Sequence, residues 1–247
     1  MNYKISWVVQ TGAYHTAQGI PCQDQVYVCR EGDTVCAALA DGAGSRERSH
    51  IGAACVTRVV AQLACAEFAR WWDWGEEELA GYLLRRCLEE LERQSPPIYE
   101  LASTLLFFAA DGEGRYLSGH LGDGVQIRVM PERTEVFSPP ENGAFENETY
   151  FLTEEDALEH FRLRRGRLEE VGGLLLMSDG MADSLYQRST GTPAKACSTM
   201  VRWLQEGDEA VITQALEENT RRFFVERSGD DLSLVVLAWH NEEESPK

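Results

Sequence analysis

Apolar and polar positions along the chain alternate in short runs, and in a few longer segments they recur at helical spacing. Residues 3–12 read as a strand, as do 25–31 and 33–40 with a turn at Gly32 between them. From Ser49 to about Trp72 the period changes: Ile51, Cys55, Val59, Leu63 and Phe68 fall on one helical side with no proline between them. A second helix is predicted from Glu76 to Arg93, carrying Leu79, Leu83, Leu84, Cys87, Leu88 and Leu91 and stopped by Pro96 and Pro97. Four strand-like runs follow, at 102–111, 114–122, 124–131 and 134–138, separated by Gly, Asp or Pro turns. Residues 139–160 are acidic and irregular and read as a long surface loop or flap. A bent strand or strand pair is expected at 168–178, helices at 193–206 and 208–226, and a last strand at 231–240. Strands in blocks and helices in pairs do not fit an alternating βαβ sheet; they predict an α+β chain of antiparallel sheets with helix pairs packed on them.

Nothing in the 247 residues resembles a linker or a repeat, so one domain is expected over 1–240, followed by a polar tail at 241–247. The net charge is −18, from 41 acidic against 23 basic residues, which disfavours nucleic acid and anionic membrane surfaces as partners. The seven cysteines include no CxxC pair and several sit in apolar runs, which predicts free core thiols in a reducing compartment. No apolar run approaches the ~20 residues that span a bilayer, and no signal peptide is apparent. A cytoplasmic protein is expected.

The acidic residues carry the chemistry. Asp24, Asp41, Asp123, Asp179 and Asp230 each stand at the edge of an apolar strand beside a turn, and glycine directly follows Asp41, Asp123 and Asp179. Asp183 lies four residues after Asp179, so a helical turn would aim both carboxylates the same way. Any one Asp-Gly pair reads as a simple turn. The whole set, in hard oxygen donors without paired His or Cys, suits Mg²⁺ or Mn²⁺. Two such ions can share a hydroxide and hold a phosphoryl group for in-line attack.

The motifs 23-QD-24, 41-DGAG-44, 121-LGDG-124, 178-SDGMAD-183 and 230-DDLS-233 resemble, in order and over nearly the whole chain, those of the PPM or PP2C-type metal-dependent serine/threonine protein phosphatases in a compact bacterial form. That resemblance implies a four-layer αββα sandwich, two antiparallel sheets flanked by helix pairs. It implies that Asp41 bridges two metals, that the Gly42 carbonyl binds one, and that Asp179 and Asp230 complete the set, making these three aspartates the catalytic ones. It places Asp24 at the cluster edge, and Asp123 and Asp183 with Asp179 at a third, weaker metal site. Asp231 stands where asparagine is commoner, as a supporting group. Two departures are visible: Ala43 replaces a histidine seen in eukaryotic members, and Gly19 and Ile20 occupy the neighbourhood of a phosphate-binding arginine. His15, Arg46 and Arg48 are the candidates to replace that arginine. The implied activity is metal-dependent hydrolysis of phosphoserine or phosphothreonine without a covalent intermediate, by a monomer that opposes a cognate Ser/Thr kinase. The rival reading is a phosphatase-like module that binds a partner without turnover.

Overall fold

The computed structural model describes residues 1–143, 149–169 and 171–240. In chain order its elements are β1 (Asn2–Gln10), α1 (Ala13–Gln18), β2 (Gln25–Glu31), β3 (Thr34–Ala40), α2 (Ser49–Trp71), α3 (Glu76–Leu91), β4 (Leu105–Ala110), β5 (Arg115–Leu121), β6 (Val125–Met130) and β7 (Arg133–Ser138). Then come α4 (Ala157–His160), β8 (Arg162–Arg167), β9 (Val171–Met177), α5 (Asp179–Leu185), β10 (Tyr186–Gln187), β11 (Thr192–Pro193), α6 (Lys195–Glu206), α7 (Glu209–Asn219) and β12 (Leu232–His240).

One five-stranded sheet runs β1-β12-β9-β6-β7 and the other β2-β3-β4-β5-β8; β10 and β11 form a small ribbon. Every strand pair is antiparallel. The inward faces of the two large sheets meet in a core of Ile5, Val35, Leu39, Leu106, Phe108, Leu174, Val235 and Leu237, with Trp239 stacked on Phe108. The outer face of the β3–β4 sheet packs on α2 and α3, with Trp71, Leu79, Leu83 and Leu91 fully buried between them. The outer face of the β9–β12 sheet packs on α5, α6 and α7 through Met177, Met181, Cys197, Val201, Leu204 and Leu216. The four αββα layers expected from the motifs are therefore present.

The predicted helices and most strands are found within a few residues of their expected spans. The strand pair at 168–178 is corrected: β8 starts earlier, at Arg162, and only β9 carries the apolar run. The sequence RLRRGR has no apolar alternation, because β8 is an edge strand whose outward positions face water. The helix expected over 208–226 ends at Asn219, where the backbone widens to an i→i+5 bond from the Val225 N–H to the Thr220 carbonyl. The 139–160 loop is more anchored than expected. Leu152 is buried and its N–H bonds to the Ser103 carbonyl at 2.9 Å, and Ala157–His160 make a helical turn. Residues 144–148 of that loop, and the tail at 241–247, lie outside the described residues.

One expectation about membranes also changes. α2 is long and apolar enough to cross a bilayer by length and composition. Its apolar character has another cause: it is clamped between a sheet and α3, so much more than one stripe of it is buried. All seven cysteines are free, as expected.

Candidate active site

The antiparallel registers bring the acidic turns to one end of the sandwich. Gln25 pairs with Ala40, so Asp24 and Asp41 flank the same β2–β3 end. Leu105 pairs with Leu121 and Val125 with Met177, which sets the β5–β6 turn with Asp123 beside the end of β9, where Asp179 begins α5. Leu234 pairs with Met177, so Asp230 enters β12 at that end as well. Asp41, Asp123, Asp179 and Asp230 line a cleft of ≈ 780 Å³, together with Gly42, Ala43 and Thr104.

Local bonding fixes these carboxylates. The Asp41 N–H donates to Thr104 Oγ1 at 2.9 Å and the Thr104 N–H donates to the Asp41 carbonyl at 2.8 Å. The Gly42 N–H donates to the Gln23 carbonyl at 3.2 Å. A Cβ on Gly42 would meet Ser49 Oγ at 2.7 Å, so only glycine lets the start of α2 pack here. Asp179 Oδ1 accepts the Gly180 N–H at 2.6 Å, and Asp230 Oδ1 accepts the Asp231 N–H at 2.8 Å. Asp123 Oδ2 accepts the Thr149 hydroxyl. Asp24 lies beneath the cleft at 1% exposure, and neither of its oxygens has a hydrogen-bond partner of good geometry, although the Ser178 and Ser233 hydroxyls are close enough to favour its charged form.

Burial and mutual repulsion raise Asp24, Asp41, Asp123 and Asp179. Desolvation, then Asp231 and Asp179, push Asp24 to about 8. Desolvation, then Asp123 and Asp230, push Asp179 to about 6. Desolvation followed by four neighbouring aspartates holds Asp41 well above the carboxylate range, and desolvation also raises Asp123. Among the described residues that line the cleft there is no lysine, arginine or histidine. Crowded carboxylates with an orphaned member below them make a site short of positive charge. Their all-oxygen donors, with the Gly42 carbonyl at hand, fit hard divalent cations such as Mg²⁺ or Mn²⁺.

The Protein phosphatase 2C family model matches residues 11–220. The chain belongs to the protein phosphatase 2C family. It is 25% identical over 263 residues to Serine/threonine-protein phosphatase 3 of Escherichia coli (strain K12), covering 97% of this chain and 99% of that protein. The fold is similar to that of PppA, described as a key regulatory component of T6SS in Pseudomonas aeruginosa, with TM-score 0.67 and 15% identity over 97% of this chain and 99% of that one. It is also similar to the catalytic domain of the serine threonine protein phosphatase PstP in complex with two manganese ions, with TM-score 0.60 and 16% identity over 96% and 98% of the two chains. The family and the enzyme class, a protein serine/threonine phosphatase, are those the motifs indicated.

Not every position that the phosphatase 2C resemblance singled out reaches the cleft. Asp183 is exposed and does not line it; its Oδ1 lies 3.9 Å from Arg188 Nε. His15 is buried, with Nδ1 2.9 Å from Asp231 Oδ2, away from the cleft lining. Arg46 places its guanidinium over the Tyr99 ring at 5.8 Å, while its carbonyl accepts from Gln23 Nε2 and Ser49 Oγ. Asp231 is the supporting hub: its two oxygens accept the Gly12 N–H at 2.8 Å and the Gln23 N–H at 2.6 Å, which ties the loop around α1 to β12. His15, Asp230 and Asp231 offer ligand atoms within 4.8 Å of one another, but Asp231 already serves those two amides. Sequence reasoning missed Thr104, Thr149, Tyr150, Phe151, Glu154 and Asp156, all on the cleft wall. The acidic run 154-EED-156 was the one available signal for them.

Proposed function

We propose that this chain is a Mn²⁺- or Mg²⁺-dependent phosphoprotein phosphatase, folded as one domain over residues 1–240, that hydrolyses phosphoserine and phosphothreonine directly with water. One observation carries this: Asp41, Asp123, Asp179 and Asp230, joined on the wall by Glu154 and Asp156, line a single cleft beside the unpartnered Asp24, with no basic side chain among the described lining residues. Asp41, Asp179 and Asp230, with the Gly42 carbonyl, are the residues we assign to a pair of ions, and Asp24 supports them from below. The manganese bound to the PstP catalytic domain is consistent with that choice of metal. When bound, divalent ions in such a site lower the pKa of water, orient the phosphoryl oxygens and neutralise developing charge.

The chain's own groups supply positioning. The reciprocal Asp41–Thr104 bonds, from the Asp41 N–H to the Thr104 hydroxyl and from the Thr104 N–H to the Asp41 carbonyl, hold the central carboxylate still. Asp231 holds the Gln23 N–H, and through it the neighbouring Asp24. No nucleophilic side chain is needed. Cys22, the nearest thiol, is pushed well up by burial and by the Asp24 charge, so it stays protonated and unreactive. We further propose that the substrate is a phosphorylated protein acted on by a cognate Ser/Thr kinase, and that the phosphatase works as a cytoplasmic monomer.

The rival, a partner-binding module without turnover, draws on Ala43 and on the absence of a basic residue among the lining groups described. Phosphate release from a phosphothreonine peptide and from p-nitrophenyl phosphate, with Mn²⁺, Mg²⁺ or EDTA, separates the two. Turnover that needs metal and drops by at least ~100-fold in Asp179→Asn is expected. Turnover indifferent to EDTA would sink the metal mechanism. A folded protein inert with every metal would favour the binding module.

A further inference from the structure

Two acids on the cleft wall play no part in the set of aspartates at the sheet ends. Glu154 and Asp156 stand on the segment that leads into α4, both exposed and both lining the cleft. The wall that carries them is braced. Tyr150 also lines the cleft, with its ring stacked on His160 at 3.4 Å between centroids and 11° between planes. His160 Nδ1 lies 2.8 Å from Glu141 Oε1, and Glu141 Oε2 lies 3.1 Å from Arg162 Nε at the start of β8. Glu154 Oε2 accepts the Phe151 N–H at 3.0 Å. Leu152 bonds through its N–H to the Ser103 carbonyl, and Ser103 in turn bridges Gly42. The wall is therefore fixed relative to the residues assigned to the ions, and little ordering remains to be done when a substrate arrives.

A phosphorylated side chain attacked beside Asp41 and Asp179 brings its neighbours in the substrate past this wall. The described lining offers those neighbours two carboxylates, two aromatic side chains in Tyr150 and Phe151, and no basic group. The chain's net charge of −18 adds a repulsive background for acidic segments. We propose that Glu154 and Asp156 are specificity-determining residues, selecting phosphoprotein segments that carry arginine or lysine within a few residues of the phosphorylated serine or threonine. The inference rests on the phosphatase reading above and names its substrate class. A substrate guanidinium or ammonium meets the two carboxylates while its apolar stem lies along Tyr150 and Phe151. An acidic segment meets like charge at the same place, so the wall both attracts one class and rejects the other.

The test is a set of phosphothreonine peptides alike except for arginine, alanine or glutamate at the two positions on either side of the phosphoresidue. The readout is the ratio of kcat/KM between them, with Mn²⁺ present and p-nitrophenyl phosphate as a substrate that has no flanking residues. Wild type should favour the arginine peptides over the alanine ones by about tenfold, as two exposed ion pairs supply, and the glutamate peptides should be poorest. The preference should weaken as salt is raised. Glu154→Gln with Asp156→Asn keeps the Phe151 N–H acceptor and should bring the ratio close to one. Glu154→Lys with Asp156→Lys should turn the preference toward glutamate. Wild-type turnover of p-nitrophenyl phosphate with no preference for arginine would overturn the inference and leave the phosphatase reading standing. So would an arginine preference that survives in the neutral double variant, because other groups would then be reading the flanking charge. A folded wild type that turns over neither p-nitrophenyl phosphate nor any peptide, with any metal, would fail the phosphatase reading itself, and this inference with it.

Discussion

Replacing Asp24 with asparagine tests the electrostatic account of the cleft through stability alone. The carboxyl is 1% exposed, lacks a well-formed hydrogen bond and is raised from 3.8 to about 8 by burial and by Asp231 and Asp179. Between those two values the folded chain holds a proton that the unfolded chain has released. The contribution to stability is thus fully present below the unfolded value and is lost as pH rises through the folded one. Each pH unit in that window is worth about 1.4 kcal/mol. At pH 7 the interval above 3.8 is roughly three units, so the wild-type chain without metal carries a penalty of about 4 kcal/mol from this one group. Asparagine has no such titration and similar shape, and the hydroxyls of Ser178 and Ser233 stand near it. In EDTA at pH 7 the variant should therefore be more stable than wild type by up to about 4 kcal/mol, or roughly 8–16 °C in Tm for a chain this size. The advantage should shrink to about 1–2 kcal/mol at pH 5. Asp41, Asp123 and Asp179 are raised too, so some pH slope will persist in the variant. Urea unfolding from pH 5 to 8 in EDTA measures this directly. A variant equal to or weaker than wild type at pH 7, or a gap that does not close on acidification, would refute the reasoning.

Adding Mn²⁺ at about a hundred times its dissociation constant should stabilise the wild-type chain by about 2.7 kcal/mol per site, and thermal melts should show Asp24→Asn gaining less. Asp231→Ala should cost about 2–5 kcal/mol, because it strands the buried Gly12 and Gln23 amides; urea unfolding reads it, and hydrogen exchange should show both amides losing protection. Gly12→Ala should be more damaging than Gly42→Ala. Its Cβ would fall 2.2 Å from the Asp230 carbonyl oxygen, a backbone atom, whereas that of Gly42 would first meet the Ser49 side chain at 2.7 Å; melting temperatures of the two variants rank them.

What the sequence revealed and what it hid follow the same physics. A buried strand must be apolar and a turn at its end must be small or polar, so 36-CAALADG-42 and 174-LLLMSDG-180 announce both the strand and the carboxylate beyond it. Because every pairing is antiparallel, strands announced in this way can deliver their turns to one end, where the carboxylates gather in the cleft. β8 was hidden because an edge strand is freed from that constraint and four arginines satisfy it as well as valines would. The cleft wall around Thr149 to Asp156 was hidden because its placement depends on single long-range bonds, such as the Leu152 N–H to Ser103, that leave no periodic trace. Asp183 is the most instructive case. The helical turn on which the spacing argument depended is present as α5, but spacing fixes only direction around an axis. Whether a carboxylate reaches a cleft also depends on distance along that axis and on which cation lies nearer, and here Arg188 is close by on the next hairpin. A motif therefore reports the backbone that carries a ligand more faithfully than the ligand's partner, and the outer rim of this site is where those two part.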